Sequence, residues 1–353
     1  MGGLGIVSAV DQFLFGYNSG HRLIAGSREL APPTLVRLLG ATDAAMTPRC
    51  PPLVTGLPLP EIGRFALCVT WAATEMPRVG AVWAHVIVAD ESHLRDPRAF
   101  AALIGLPRRP QTADEDLTAY TIRLSSDGLE PRAPRYTNGR SVDPALLHRL
   151  ALAAYGGGLT TVVVHEDAAG AAAAAISLWA AQWPELRAVF AFRTREIARL
   201  DRSEFNLTVA AKIRGHDDPS AEWPSSKQPR WAAAIAADAA SDRGGRLREF
   251  LWTYGSQESP EPTRVRALAG LWVRVEAGDV EGARTHLERY WPLPRAGAAL
   301  KLALFGRSHN RWWSAGERER VAALLSSRHE TWDLAELDLT GRVRVLARSA
   351  DTG

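Results

Sequence analysis

A chain of 353 residues is too long for one ordinary hydrophobic core and predicts two or three folded units. Its 46% hydrophobic and 23% charged content are those of a soluble globular protein. A formal net charge of +3 is too small to indicate a nucleic-acid partner. The longest Ala-rich run, Ala168 to Ala181, is too short to span a bilayer. The start, Met-Gly-Gly-Leu-Gly-Ile-Val, has no basic region followed by a long apolar stretch, so no signal peptide is expected. Cys50 and Cys68 are expected to be a reduced pair, and the protein cytoplasmic.

The first elements form a β-hairpin over Asp11 to Leu30. Phe13 and Phe15 share one strand face and Leu14 takes the other. Tyr17-Asn18-Ser19-Gly20 supplies turn chemistry, Asn and Gly tolerating a left-handed backbone. On the return strand Leu23 and Ala25 are expected to point one way, Arg22 and Ile24 the other. The tip therefore carries Tyr17, Asn18, His21 and Arg22 as candidate recognition residues. Gly16 and Gly20 are assigned to the turn.

A helix follows over Pro32 to Gly40, then a proline-rich loop from Pro48 to Pro60. Arg64 to Trp71 and Ala81 to Val88 read as strands, the second with Val82, Ala84, Val86 and Val88 on one face and Trp83, His85 and Ile87 on the other. Asp90 is a candidate N-cap. Tyr120 to Leu124 is expected to be a short strand and Ser125 to Arg140 a linker. Asp143-Pro144 opens a helix ending at Gly156-Gly157-Gly158, followed by a strand over Leu159 to Val164 and a helix over Ala168 to Trp183. Val189 to Arg193 alternates like a strand, and Asn206 to Ala211 reads as another. Arg214 to Arg230, polar and proline-bearing, marks a boundary. Every segment from Trp231 on is helical, with tryptophans as packing anchors. The fold class is α+β: an N-terminal α+β domain built on the hairpin (1–125), a small α/β middle domain (126–213) and an all-helical C-terminal domain (214–353).

The chemistry-bearing patterns are sparse. Lys212, Lys227 and Lys301 lack phosphate-loop context, and the triple Gly precedes a strand where a dinucleotide loop would follow one. No strong zinc pattern occurs; His85, Asp90 and His93 are close in sequence but need not converge. A hydrolase would draw on Ser19 or Ser27, His21 and Asp11, without a nucleophile elbow. No catalytic residue, metal ligand or cofactor is assigned. Arg187, Arg193, Arg195 and Arg199 lie among Glu185, Glu196 and Asp201, and intramolecular pairing is the expected outcome.

The segment Gln12-Phe13-Leu14-Phe15-Gly16-Tyr17-Asn18-Ser19-Gly20-His21-Arg22-Leu23-Ile24-Ala25-Gly26-Ser27 resembles the N-terminal signature of the GTPase-associated protein 1 family of bacteria. That signature has Gln, a Tyr-Gly-Tyr or similar, then Gly-His-Arg-Leu-Leu-Ala and a Ser. Val79 to Leu94, with Val82-Trp83-Ala84-His85, resembles the same domain, and Pro184 to Arg195 resembles the family's middle domain. Phe15 stands where Tyr is expected and Ala84 where Thr is expected, which removes two hydroxyls. The resemblance spans the first half to three-fifths of the chain. It implies a non-enzymatic adaptor in an NTP-dependent bacterial conflict (antiviral defence) system, with a GTPase and effector modules as protein partners and no membrane. Tyr17, Asn18, His21, Arg22 and His85 are the residues that would meet a partner or ligand. Arg22 or Arg78 could serve as an arginine finger. Two alternatives stand beside it: an enzyme or small-ligand-binding domain using His21 with Tyr17 or Asp11, and a nucleic-acid sensor using the Arg-rich middle segment.

Overall fold

The computed structural model describes residues 9–44, 46–76, 78–112, 115–125, 142–157, 161–163, 168–198, 204–213, 229–241, 244–293, 295–306 and 312–327. Its architecture is α+β, with a mixed sheet followed by helices. The first strand, β1 (Ala9–Tyr17), is buried along nearly all its length. It pairs antiparallel with β2 (His21–Gly26) on one side and β5 (Val82–Ala89) on the other. Next come β4 (Arg64–Ala72) and β3 (Leu53–Leu59), also antiparallel. β3 then pairs with β8 (Phe192–Ala198), and β8, β9 (Leu207–Ile213) and β7 (Thr161–Val163) continue as a parallel set. A two-residue strand, β6 (Leu124–Ser125), pairs with the start of β1.

Alternation along the strands divides the core as their period of two requires. Phe13, Phe15, Ala84, Val86 and Val88 face α1 (Pro32–Thr42), where Leu38 joins them. Val10, Leu67 and Ile87 face the opposite layer, which includes Leu94 of α2 (Glu91–Arg95), α3 (Pro97–Ile104), α4 (Pro144–Tyr155) and α5 (Ala168–Ala181). The predicted faces of β1 and β5 are therefore the observed ones. On β2 they are not: Phe15 lies opposite Leu23 but Leu14 opposite Ala25. A bulge at Leu14/Phe15 inserts one residue, so Ile24 and Ala25 both join the Leu14 side.

Three further segments differ from the expected pattern. Part of the proline-rich loop is β3, whose pairing with β8 is confined to Thr55 and Gly56, so Pro58 sits where no β8 bond is made. A Cβ on Gly56 would overlap the Phe192 ring, so this close approach requires glycine. Tyr120 to Leu124 is not one strand: Leu117–Tyr120 is a 3-10 turn capped by Asp116, and β6 begins at Leu124. The turn places the Tyr120 ring edge-on against His85 at 5.0 Å. The expected Ser125–Arg140 linker lies almost wholly outside the described residues.

β8 hydrogen-bonds to β3, so the sheet runs through the sequence boundary at 125/126. One hydrophobic core also joins the sheet to helices from both sides of 213/214, including α7 (Arg230–Ala239), α8 (Arg246–Gly255), α9 (Pro262–Glu276), α10 (Val280–Tyr290) and α11 (Ala298–Phe305). Within it Trp272 meets Trp312 at 5.6 Å and Phe250 at 5.3 Å. Trp332 lies outside the described residues.

Arg187, on α6 (Pro184–Val189), ties these parts together. It is 2% exposed and donates to the carbonyls of Leu94 at 2.9 Å and Ala180 at 2.6 Å. Its guanidinium lies over Phe100 at 4.3 Å and Trp252 at 4.6 Å. Burial, with Arg248 nearby, lowers its pKa to about 9. Glu185 pairs with Arg95, and Glu196 holds Thr47. Arg199 and Asp201 lie outside the described residues.

Candidate functional site

The hairpin tip is set by Tyr17 pairing with His21, which leaves Asn18-Ser19-Gly20 as the loop. The left-handed position falls on Ser19, at φ 55°, while Gly20 takes φ 137°. Gly16 has another role than the turn: a Cβ there would overlap the indole of Trp83. Asn18 and Arg22 are exposed, and Arg22 makes no ion pair among the described residues. Tyr17 is half-buried, with the Arg78 guanidinium 4.5 Å over its ring. Arg78 belongs to the turn between β4 and β5, where Val79 is 95% exposed. Two hairpin ends thus form one surface.

His21 faces inward from this surface. Its Nε2 lies 2.9 Å from Thr42 Oγ1, whose hydroxyl donates to the Leu38 carbonyl. The neutral ring therefore donates from Nε2. Burial lowers its pKa, opposed in part by Asp43. His21 fastens the hairpin to the end of α1.

His85 is corrected as a partner-contact residue, because it is fully buried. Gln12 Nε2 donates to the carbonyls of Ala119 and Ile122, which turns its amide oxygen toward His85 Nε2 at 3.0 Å. His85 Nδ1 accepts from the Arg108 backbone at 3.0 Å. Both ring nitrogens are satisfied, and burial with Arg108 lowers the pKa to about 3. His93 instead reaches Asp90 Oδ1 at 2.6 Å. Among the described residues no group of three His, Cys, Asp or Glu side chains could hold a metal.

The proposed hydrolase residues are also separated. Ser27 Oγ donates to Asp11 at 3.3 Å, whereas His21 is committed to Thr42. Asp11 is fully buried at the opposite end of β1 from Tyr17. It receives Arg64 Nη1 at 2.6 Å, Arg123 Nε at 2.9 Å and Arg28 Nε at 3.3 Å. This arginine cluster was not legible beforehand, since its members come from distant parts of the sequence. A separate cleft of about 200 Å3 opens near β8 and β9, with Arg49, Arg195, Glu196 and the half-buried Cys50 on its walls. Burial and Glu196 raise the Cys50 pKa to about 12, which keeps it a thiol.

Residues 9–106, from β1 to just beyond α3, match the family described as GTPase-associated protein 1, N-terminal domain type 1. The match contains both hairpin ends and the Asp11, His21 and His85 positions. No curated protein and no solved structure matches the chain. No helix among the described residues is long and apolar enough to cross a membrane.

Proposed function

We propose that this protein is a non-enzymatic adaptor of a bacterial NTP-dependent conflict (antiviral defence) system, docking on a protein partner that is a GTPase. The observation that carries this reading is the similarity of residues 9–106 to a GTPase-associated domain. Its docking face is the end formed by the β1–β2 and β4–β5 turns. Tyr17 stacked under Arg78 gives an aromatic–arginine pair of the kind that anchors protein interfaces, with Asn18, Arg22 and Val79 around it. His21, the candidate acid–base group, is engaged in holding the hairpin to α1, and His85 is engaged in the core.

Co-expression with a GTPase from the same gene neighbourhood, followed by affinity capture, tests the reading. Wild-type chain is expected to retain the GTPase, and the Tyr17→Ala/Arg22→Glu variant to lose it while keeping its thermal unfolding midpoint. A folded wild-type chain that remains alone beside a folded GTPase would count against it. So would turnover of a small substrate that His21→Ala abolishes.

A further inference from the structure

The charge around Asp11 does not balance. Arg28, Arg64 and Arg123 converge on one buried carboxylate, which leaves an excess of about two positive charges. Asp11 Oδ2 takes Arg28 and Arg64, and Oδ1 takes Arg123 and Ser27. Its oxygens are therefore occupied and it is not open to further ligands.

The guanidiniums are used only in part. Arg28 and Arg123 meet Asp11 through Nε. Arg123 also places Nη2 on the Ala9 carbonyl at 2.9 Å, which fixes the plane of its fork. Arg64 uses Nη1 alone on the carboxylate. The side chains are 41%, 24% and 50% exposed for Arg28, Arg64 and Arg123, so solvent reaches all three. Among the described residues Asp11 is the only acid within ion-pair distance of them.

We propose that Arg28, Arg64 and Arg123, oriented by Asp11, form a binding site for a dianionic phosphate group. The charge argument selects this ligand: a phosphomonoester carries about −1.5 to −2 at neutral pH, close to the excess, whereas one carboxylate would leave the cluster cationic. Guanidinium forks match phosphate oxygens in paired hydrogen bonds. The fold supplies preorganisation, since each arginine is already held by the buried carboxylate before any ligand arrives. The site lies six residues along β1 from Tyr17, on the order of 20 Å at strand spacing, and does not depend on the docking face.

Calorimetric titration of the full chain tests this with inorganic phosphate, against sodium chloride at matched ionic strength. Phosphoserine and guanosine monophosphate are titrated in parallel. Saturable phosphate binding is expected, weakened about tenfold or more in Arg28→Gln and in Arg64→Gln. Arg28 is partly exposed, so its variant keeps the fold and secures the comparison should Arg64→Gln unfold. Tighter binding of phosphoserine would support the site and assign it to a phosphorylated protein. Tighter binding of the nucleotide would support it and assign it to a nucleotide. Failure of all three ligands to bind beyond chloride would overturn the proposal, as would equal binding by wild type and Arg28→Gln.

Discussion

Replacing Asp11 by Asn keeps the side-chain shape and removes the one charge that three arginines share. Removing one partner of a buried ion pair costs about 3–5 kcal/mol, because the other charge stays behind uncompensated. Arg28 and Arg123 are 41% and 50% exposed and can turn toward water, which places the loss near the lower end, about 3 kcal/mol. Arg64, at 24% exposed, recovers least. Urea unfolding followed by tryptophan fluorescence should show this as a midpoint lowered by about 1 M for a slope of about 3 kcal/mol/M. The slope itself should be unchanged, since the same surface is exposed on unfolding. A loss under about 1 kcal/mol, the range of solvent-exposed pairs, would refute the reading of Asp11 as a buried partner shared by the three arginines.

Gly16→Ala should lower stability by about 1–3 kcal/mol by forcing Trp83 from its place, with loss of its 2.8 Å bond to Glu75 visible in near-ultraviolet dichroism. His85 has a folded pKa lowered to about 3, so below its unfolded value near 6.5 only the unfolded chain takes up the proton. Its contribution is therefore fully present above pH 6.5 and is lost as pH falls toward 3, at up to about 1.4 kcal/mol per pH unit. His85→Gln should flatten that part of the pH profile of unfolding; an unchanged slope would contradict the burial argument. Arg187→Lys should lower the thermal midpoint, since an ammonium cannot bond both the Leu94 and Ala180 carbonyls while stacking on Phe100 and Trp252. A loss of about 2 kcal/mol or more is expected from the carbonyls left unpaired.

Much of the fold was legible because local patterns specify local structure. Period-two alternation in β1 and β5 was enough to assign Phe13, Phe15, Val86 and Ile87 to their faces. Asp143-Pro144 was enough to start α4, where Asp143 accepts from the Ala145 backbone. Of the three runs that carried the family resemblance, Gln12 to Ser27 and Val79 to Leu94 lie within the matched segment, and Pro184 to Arg195 lies outside it. The β2 register was less legible, because a bulge shifts alternation by one residue without a compulsory residue type.

The hairpin tip shows where sequence stops deciding. Residue types placed Tyr17, Asn18, His21 and Arg22 on one turn, and the structure keeps them there. Only packing separated them: Thr42 draws His21 inward, while Arg78 arrives from another hairpin to cover Tyr17. Likewise His85 read as a polar residue on a strand, and its burial against Gln12 and Arg108 became visible only when those distant segments met. Asp11 is the sharpest case. Its neighbours along β1 determine that it is in a strand, but the arginines that give it meaning come from residues 28, 64 and 123. Hydrophobic period is a local property that a chain carries in its order; electrostatic partnership is set by proximity in space, which the tertiary fold alone creates.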